Sequence, residues 1–358
     1  MENYVESNLL AFQGEMLKGL ASHEVRELVT MALPYALKNQ KFYQNLYDIR
    51  SIKESVQRPV YGYQFNRIAS TGGTGMTTFP TGTLGSATQI PLTFVSFTET
   101  FATYNVSGLD NVFDFIKIAG NEFSQAMRNI RTRVSTFIVQ SLYTNRTAYG
   151  LPGLKGANFN VATNAFEITT ATPWSTITSI MRQNSYGGNM YDVLADPLMF
   201  QSFEFSQAQG TENATNLAYA FTKQGVPGPG KGRFSNVWEE NNLGTTVPIE
   251  VGYTNGTALV MPENAFALVP WMPAMYYKPG FSKRFDGYEG GYGTIGDDRI
   301  AEMQYQLFGW NTQTDTSGSN GVAQGQTQSW QIGITLAWLT AYLSNAGETP
   351  IYQFAIVP

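Results

Sequence analysis

A long run of helical periodicity lies between residues 109 and 145 of the chain. The run contains no proline and a single glycine, Gly120, and it carries Asp110 and Asp114 near its start, where acidic groups suit the positive end of a helix. One helix of this length would span about 50 Å, and the alternative is that two shorter helices meet within it. Apolar residues recur mostly three or four positions apart, as on one face of an amphipathic helix. They are Val112, Phe115, Ile116, Ala119, Phe123, Ala126, Met127, Ile130, Val134, Phe137, Ile138 and Leu142.

The segment before this run predicts an extended β-hairpin. Residues 56–68 nearly alternate between apolar and polar positions, a tract rich in Gly and Thr follows at 71–85, and apolar residues return with a period of about two at 90–97. This pattern indicates two strands joined by a glycine-rich tip. An arm of this length is seldom retained in a compact domain unless something outside the domain covers it.

The remaining segments predict a mixed α+β fold. Residues 6–48 are expected to be helical, with Ser22 as an N-cap and with Pro34 either kinking this helix or opening the next one. Beyond residue 150 we expect helices at 173–183 and 197–207 and a loop at 225–232. Strands are expected at 191–195, 247–253, 258–261 and 266–269, with one strand-like insert at 300–308 within the Gly-rich region 286–325. The apolar runs at 330–343 and 351–357 are expected to form strands or a strand and a helix.

The surface of the protein is expected to be poor in charge. Only 14% of the 358 residues are charged, whereas another 14% are aromatic. Because aromatic residues are enriched and Lys, Glu and Asp depleted in the cores of protein interfaces, this composition favours extensive contact with partners; an ordinary β-rich fold with large apolar sheets is the alternative. The net charge of −5 argues against a dedicated nucleic-acid binder, which would carry a basic stripe.

Several classes of protein are excluded or disfavoured by what the sequence lacks. The chain has no cysteine, which excludes disulfides and thiolate metal sites. Residues 1–20 lack the basic region and apolar run of a signal peptide, and no stretch approaches the roughly 18 apolar residues of a membrane-spanning helix. We therefore expect a soluble protein without a membrane partner that is cytosolic at synthesis.

Motifs for cofactor chemistry are weak in this chain. The only histidine, His23, lies in the predicted N-terminal helix, where a surface or partner-facing role is the simpler interpretation. Residues 225–232 read G-x-x-x-x-G-K, but Gly232 stands where a phosphate loop needs Ser or Thr, and two prolines remove backbone donors. The tract at 72–75 lacks the spacing of a dinucleotide-binding fingerprint. We predict no cofactor.

Acidic residues in loops leave an enzymatic alternative open. Paired carboxylates beside aromatic platforms would suit an enzyme that acts on polysaccharides, or they would bind calcium, although none matches the calcium-loop spacing. The long helix and the hairpin do not suit such an enzyme, so we predict no catalytic residues and no metal site. The acidic residues concerned are Glu239, Glu240, Asp286, Glu289, Asp297 and Asp298.

The order of these parts resembles the HK97-like capsid fold of tailed-bacteriophage major capsid proteins. That fold has an N-terminal arm, an extended β-hairpin called the E-loop, a long spine helix, and peripheral and axial domains. Three segments carry the resemblance. Residues 97–108 lead from a strand into the long helix, with Ser107 or Asp110 as its cap, and at 143–154 the helix ends and a Gly-Leu-Pro-Gly turn follows. Residues 192–197 form a strand that is followed by a short helix.

The resemblance implies a division of the chain into five parts. These are an N-terminal helical arm at 1–50, the E-loop at 51–101, the spine helix and peripheral domain at 102–170, the axial domain at 171–285, and strands returning to the peripheral and axial domains at 286–358.

The same resemblance implies a structural function and not an enzymatic one. The chain would be a self-assembling subunit of an icosahedral head that encloses double-stranded DNA without sequence-specific binding. It would pair with itself as pentamers and hexamers, meet separate scaffolding, portal and decoration proteins, and be localised in the virion after assembly in the host cytoplasm. Other virion components, such as a jelly-roll capsid or tail protein, are the closer alternative. The intersubunit contacts that the hairpin implies are Tyr61, Tyr63, Phe65, Phe79, Phe94 and Phe97.

The sequence departs from some members of this family in two respects. Those members cross-link their subunits through a lysine of the E-loop, whereas residues 58–97 contain no lysine. Others carry a long cleaved scaffolding extension before the hairpin, whereas the hairpin here is expected from about residue 56. Covalent cross-linking of that kind is therefore not expected, and a scaffold would have to be a separate protein.

Overall fold

A computed structural model of the chain describes residues 31–38, 60–64, 86–90, 93–104, 112–148, 157–169, 173–183, 190–209, 234–243, 253, 255–263, 265–271, 282–285, 288–295, 303–313, 326–340 and 349–357. Within these residues helices and strands are mixed along the chain, in agreement with the predicted α+β class. The helices are α1 (Ala32–Lys38), α2 (Val112–Thr144), α3 (Pro173–Met181) and α4 (Pro197–Gln209).

The predicted long helix is one element and not two. α2 comprises 33 residues without interruption. Polar residues such as Arg133 and Gln140 are exposed, whereas Phe123, Ile130 and Val134 are buried, as the apolar periodicity predicts. The two predicted N-caps, Ser107 and Asp110, lie outside the described residues.

The N-terminal helical prediction is covered by the structure only at α1. Pro34 is the third residue of this helix, within the first turn, where backbone amides have no intrahelical acceptor and proline is tolerated. Pro34 therefore neither kinks a longer described helix nor opens α1. Ser22 and His23 lie outside the described residues.

The predicted hairpin exists, but its second strand lies earlier than expected. β1 (Val60–Gln64) pairs antiparallel with β2 (Ser86–Ile90), and the two form a separate two-stranded sheet. The prediction placed the second strand at 90–97, and this is wrong because most of that segment belongs to β3 (Thr93–Tyr104), in another sheet. Alternation of apolar residues fixes which face a side chain takes and does not fix the partner strand.

The first large sheet is antiparallel and centred on its longest strand. That strand is β13, and β3 pairs with it along one edge from Tyr104, opposite Thr327, to Thr93, opposite Trp338. β12 and then β9 occupy the other edge. The Gly-rich region beyond residue 285 contains more strands than the single predicted insert. Besides β3, the members are β9 (Phe266–Trp271), β10 (Ser282–Phe285), β11 (Tyr288–Ile295), β12 (Met303–Gln313) and β13 (Gln326–Thr340).

The second large sheet is mixed, with the strand order β4-β5-β14-β8-β6-β7. β5 and β14 run parallel, as do β6 and β7, while the other neighbours are antiparallel. Of the segment 247–253, predicted to be a strand, only Tyr253 is described, and it is not in a strand; the predicted loop at 225–232 lies outside the described residues. The members are β4 (Ala157–Asn160), β5 (Ala165–Ile168), β6 (Tyr191–Ala195), β7 (Phe234–Glu239), β8 (Thr257–Pro262) and β14 (Tyr352–Ile356).

The second sheet contributes to both main apolar cores. On one face Val193 and Val260 join a core with residues of α3 and α4. On the other face Leu194 and Leu259 join a core with residues of α1, α2, β9 and β13. Neighbouring residues of one strand thus enter different cores, because successive side chains of a strand point to opposite faces. The sheet is the layer between the two pairs of helices.

The C-terminal end of α2 is fastened to this second sheet. Arg146 donates through Nη1 to the carbonyl oxygen of Tyr143 at 2.7 Å and through Nη2 to that of Thr163 at 2.9 Å. The amide of Thr147 donates to the carbonyl oxygen of Ile351, 2.8 Å away. A cation at the end of a helix also suits its negative pole. The long helix therefore joins the first sheet, against which it packs, to the second.

Candidate functional site

The residues predicted to form intersubunit contacts are distributed over two different sheets. Tyr61 and Tyr63 lie in β1, opposite Gln89 and Ala87 of β2. Phe94 and Phe97 lie in β3 of the first large sheet, and Phe65 and Phe79 fall outside the described residues. The structure therefore brings the two tyrosines together on the hairpin and assigns the two described phenylalanines to a separate strand.

Phe97 contributes to the core of its own chain. It is half-buried and packs on the α1–α2 core, and its ring meets that of Phe137 on α2 edge to face, with centroids 5.6 Å apart. Phe94 is also half-buried. Nearby, Arg133 of α2 forms an ion pair with Glu99 of β3, with nitrogen and oxygen 2.8 Å apart. A change at Phe97 would therefore alter the fold as well as any contact between subunits.

Two exposed apolar residues on α4 were missed by the sequence analysis. Leu198 is 50% exposed and Phe205 is 61% exposed, and they are seven positions apart, so they lie on one side of the helix. Met199 is buried, and Phe200 and Phe203 pack on the second sheet. The sequence did not reveal the exposed pair, because apolar residues spread around most of this helix and that pattern is typical of a buried helix.

Asp196 is a buried carboxylate that joins α4 to β8. Its Oδ1 accepts a hydrogen bond from the amide of Met199 at 2.7 Å, and its Oδ2 accepts one from the amide of Thr257 at 3.0 Å. Asp196 is thus the N-cap of α4, with Pro197 as the first helical residue. Burial raises its pKa, and the two backbone hydrogen bonds oppose this shift. Both oxygens bind backbone amides, so its role is structural.

Glu240, one of the candidate catalytic acids, is also a buried structural carboxylate. Its Oε2 accepts a hydrogen bond from the amide of Ala32 at 2.6 Å, and its Oε1 accepts one from the amide of Asn242 at 3.1 Å. Burial raises its pKa, against the opposing effect of hydrogen bonds from Ala32, Asn242 and Met31. Its neighbour Glu239 ends β7. Glu240 is fully buried, which removes it from contact with any substrate in solution.

The other candidate acids are not assembled into a site in the described part of the chain. Asp286, Asp297 and Asp298 lie outside it, and Glu289 lies in β11. Among the described residues no group of three His, Cys, Asp or Glu is placed to hold a metal ion. No helix within the described ranges is long and apolar enough to cross a membrane.

Comparisons with known proteins show similarity to structures from phages. No protein family model matches the chain, and no curated protein matches it. A chain of Mycobacterium phage Che8 is 11% identical, with 93% of each chain covered and a TM-score of 0.47. A chain of Mycobacterium phage Adephagia is 9% identical over 94% of this chain and 93% of that one, with a TM-score of 0.46. The capsid of Ralstonia phage GP4 is 12% identical over 85% and 83%, with a TM-score of 0.36. With all three TM-scores below 0.5, the function is inferred from the geometry of this chain.

Proposed function

We propose that the chain is the major capsid protein of a tailed bacteriophage, a structural subunit that assembles with copies of itself into an icosahedral head around double-stranded DNA. The observation that carries this proposal is the hairpin β1–β2, which forms a separate two-stranded sheet and, among the strands that the structure describes, pairs with neither six-stranded sheet. An isolated two-stranded hairpin is marginally stable in water. The hairpin therefore requires a further surface to pack against, and a neighbouring copy of the chain supplies that surface.

The order of elements along the chain supports the same function. Among the described elements, the hairpin, the strand β3 and the 33-residue helix α2 follow one another, in the order of an E-loop and a spine helix. The strands β6, β7 and β8 of the second sheet, with α3 and α4 on one face, fall within the axial division at 171–285, and the late strands β11–β13 of the first sheet fall within or begin after the Gly-rich region that opens the last division. We retain the five predicted divisions of the chain, and the six aromatic contacts, as parts of this proposal.

The sheet topology favours this fold over the alternatives. A jelly roll is built from antiparallel strands, whereas the second sheet contains the parallel pairs β5–β14 and β6–β7. An enzyme acting on polysaccharide needs carboxylates that reach solvent, and Glu240 is enclosed by backbone amides. As a shell subunit the protein would need no cofactor and no catalytic residue, and its partners would be copies of itself in pentamers and hexamers.

Electron microscopy of the purified protein tests the proposal. The full chain is expressed alone and with the genes that flank it, concentrated at low and at high salt, and imaged in negative stain. Closed shells, or rings of five and six subunits, are expected. Uniform monomers under every condition, including co-expression, would contradict the proposal and direct attention to activity on glycans.

Variants of the hairpin test the proposed contacts. The double substitution Tyr61→Ala with Tyr63→Ala removes two large side chains from β1 and is expected to abolish shells while the circular dichroism of the subunit stays unchanged. Phe205→Ala is the matched control, because it removes an exposed aromatic ring from α4, far in sequence from the hairpin, and it should still form shells. Normal assembly of the double variant would exclude the hairpin contacts.

A further inference from the structure

Helix α1 is held at its first residue by a carboxylate that lies 208 residues away in sequence. The amides of Ala32 and Met31 both bond to Glu240. The amide of Glu240 donates to the carbonyl oxygen of Ala195 at 2.8 Å, and its Oε1 accepts from the amide of Asn242. One buried residue, through its side chain and its backbone amide, therefore connects the start of α1 with the ends of β6 and β7 in the second sheet.

The described part of α1 is stabilised by its docked position. The structure describes seven residues of this helix, and a segment of that length, below about 12–15 residues, is marginal as a helix in water without packing contacts. Its residues Ala32, Leu33, Tyr35 and Ala36 are fully buried. They share an apolar core with Phe266 and Leu268 of β9, a strand of the first sheet. The helix thus crosses from the first sheet to the end of the second.

We propose that α1 is a strap that can detach as a unit, and that Glu240 is the positioning residue that keeps it docked. Apolar contacts are non-directional, so they hold α1 against the core without fixing where the helix begins. The hydrogen bonds of Glu240 are directional and fix the residue at which the helix begins. If they are lost, a buried carboxylate or its amide donors remain unsatisfied, which is costly in a low dielectric. Detachment uncovers the apolar surface of β9 that α1 covers. This inference concerns a single chain and does not depend on shell formation.

Hydrogen exchange measured by mass spectrometry on the full chain tests the strap. Glu240→Gln preserves the size of the side chain but replaces one acceptor oxygen by a donor that faces a backbone amide. Exchange is expected to accelerate by more than about tenfold in residues 32–38 and to rise in 266–271, because local opening lowers protection only where contacts are lost. Residues 257–262 of β8 should keep their protection.

Asp196→Asn is the matched control for this experiment. It alters another buried carboxylate in the same way, but its partners are Met199 and Thr257. Exchange should therefore accelerate at the start of α4 and not in residues 32–38. Acceleration of 32–38 in this control, to the extent seen in Glu240→Gln, would show a general loosening and overturn the proposal.

A second variant removes the donor of the hydrogen bond between Ala32 and Glu240. Ala32→Pro removes the donor amide, and proline is accepted at the first position of a helix. Exchange in residues 32–38 should accelerate as in Glu240→Gln, and the double variant should show less than the combined effect of the two single variants, since both substitutions break the bond between Ala32 and Glu240. Unchanged exchange at 32–38 in both variants, or equal acceleration in β8, would overturn the proposal. Complete unfolding of both variants would also overturn it, because α1 would then be inseparable from the fold.

Discussion

The ring of Phe101 on β3 meets the ring of Phe123 on α2 edge to face, with centroids 6.1 Å apart. A second aromatic pair joins Phe97, which precedes Phe101 on β3, to Phe137, which follows Phe123 on α2. The helix therefore runs back along the strand that precedes it. Aromatic pairs in this geometry contribute about 0.5–1.5 kcal/mol beyond the burial of their area, so the two pairs fix the register of α2 on the first sheet.

Replacing Phe123 tests how much this register contributes to stability. Phe123 is almost fully buried, and Phe123→Ala should lower the free energy of unfolding by about 3–5 kcal/mol, as expected for a large cavity in a core. Phe123→Leu, which refills part of that volume, should cost less than half as much. Denaturant titration followed by tryptophan fluorescence measures both, and a loss below about 1 kcal/mol for the alanine variant would show that the two elements do not depend on this contact.

Gly256 permits the close approach of α4 to the turn before β8. Its φ is +124°, and a Cβ placed there would lie 2.9 Å from the backbone nitrogen of Met199. Gly256→Ala should therefore lower the free energy of unfolding by at least about 1–3 kcal/mol, the usual cost of a backbone held in a region that side chains disfavour. Thermal unfolding measures this loss.

Gly333→Ala is the control for that prediction. Its Cβ would lie 3.3 Å from the Cγ2 of Thr98, a side-chain methyl group that can shift more easily than backbone. This substitution should cost clearly less than Gly256→Ala. The reverse order would mean that the approach of α4 to residue 256 does not limit which residue can stand there.

Local patterns in the sequence predicted the elements that local physics determines. The single helix α2 follows from unbroken apolar periodicity without proline, and α4 begins where an Asp-Pro pair supplies both the N-cap and the first helical residue. The strand β6 was predicted at 191–195, the bounds that the structure gives. In each case the signal lies within one element and needs no distant partner.

The features that escaped prediction depend on residues far apart in the chain. β3 pairs with β13 and not with β1, and alternation within a strand does not specify its partner. β11 contains three glycines among eight residues, and it is a strand because β10 and β12 pair with both of its edges. Glu240 belonged to the candidate acids of the enzymatic alternative, since nothing near it in sequence reveals that it caps a helix 208 residues earlier.

The pKa of Asp196 gives a prediction for the effect of pH. Burial raises this pKa in the folded chain, so the native state binds the proton more readily than the unfolded state, where the pKa is about 3.9. The contribution of Asp196 to stability is then greatest below that value and falls as the pH rises through the folded pKa. The unfolding free energy of the natural chain minus that of Asp196→Asn should therefore be larger at acidic pH than at neutral pH. A difference that stays constant, or that grows toward neutral pH, would contradict the shift.

Arg146 offers a test of the joint between α2 and the second sheet. Its guanidinium donates to the carbonyl oxygens of Tyr143 and Thr163 and stacks on the ring of Tyr143 with its central carbon 3.7 Å from the ring centre. Arg146→Ala should lower the free energy of unfolding by about 2 kcal/mol, because hydrogen bonds from a charged donor contribute about 1.5–3 kcal/mol.

Arg146→Lys separates charge from geometry at this joint. Lysine keeps the positive charge beside the end of the helix but lacks the planar fork that bonds to two carbonyl groups at once. We expect it to recover less than half of the stability lost in Arg146→Ala. Hydrogen exchange should locate the loss in residues 157–168, the hairpin of β4 and β5 that the guanidinium holds against α2 through Thr163. Full recovery by lysine would mean that charge at the end of the helix, and not the bonded fork, joins α2 to the second sheet.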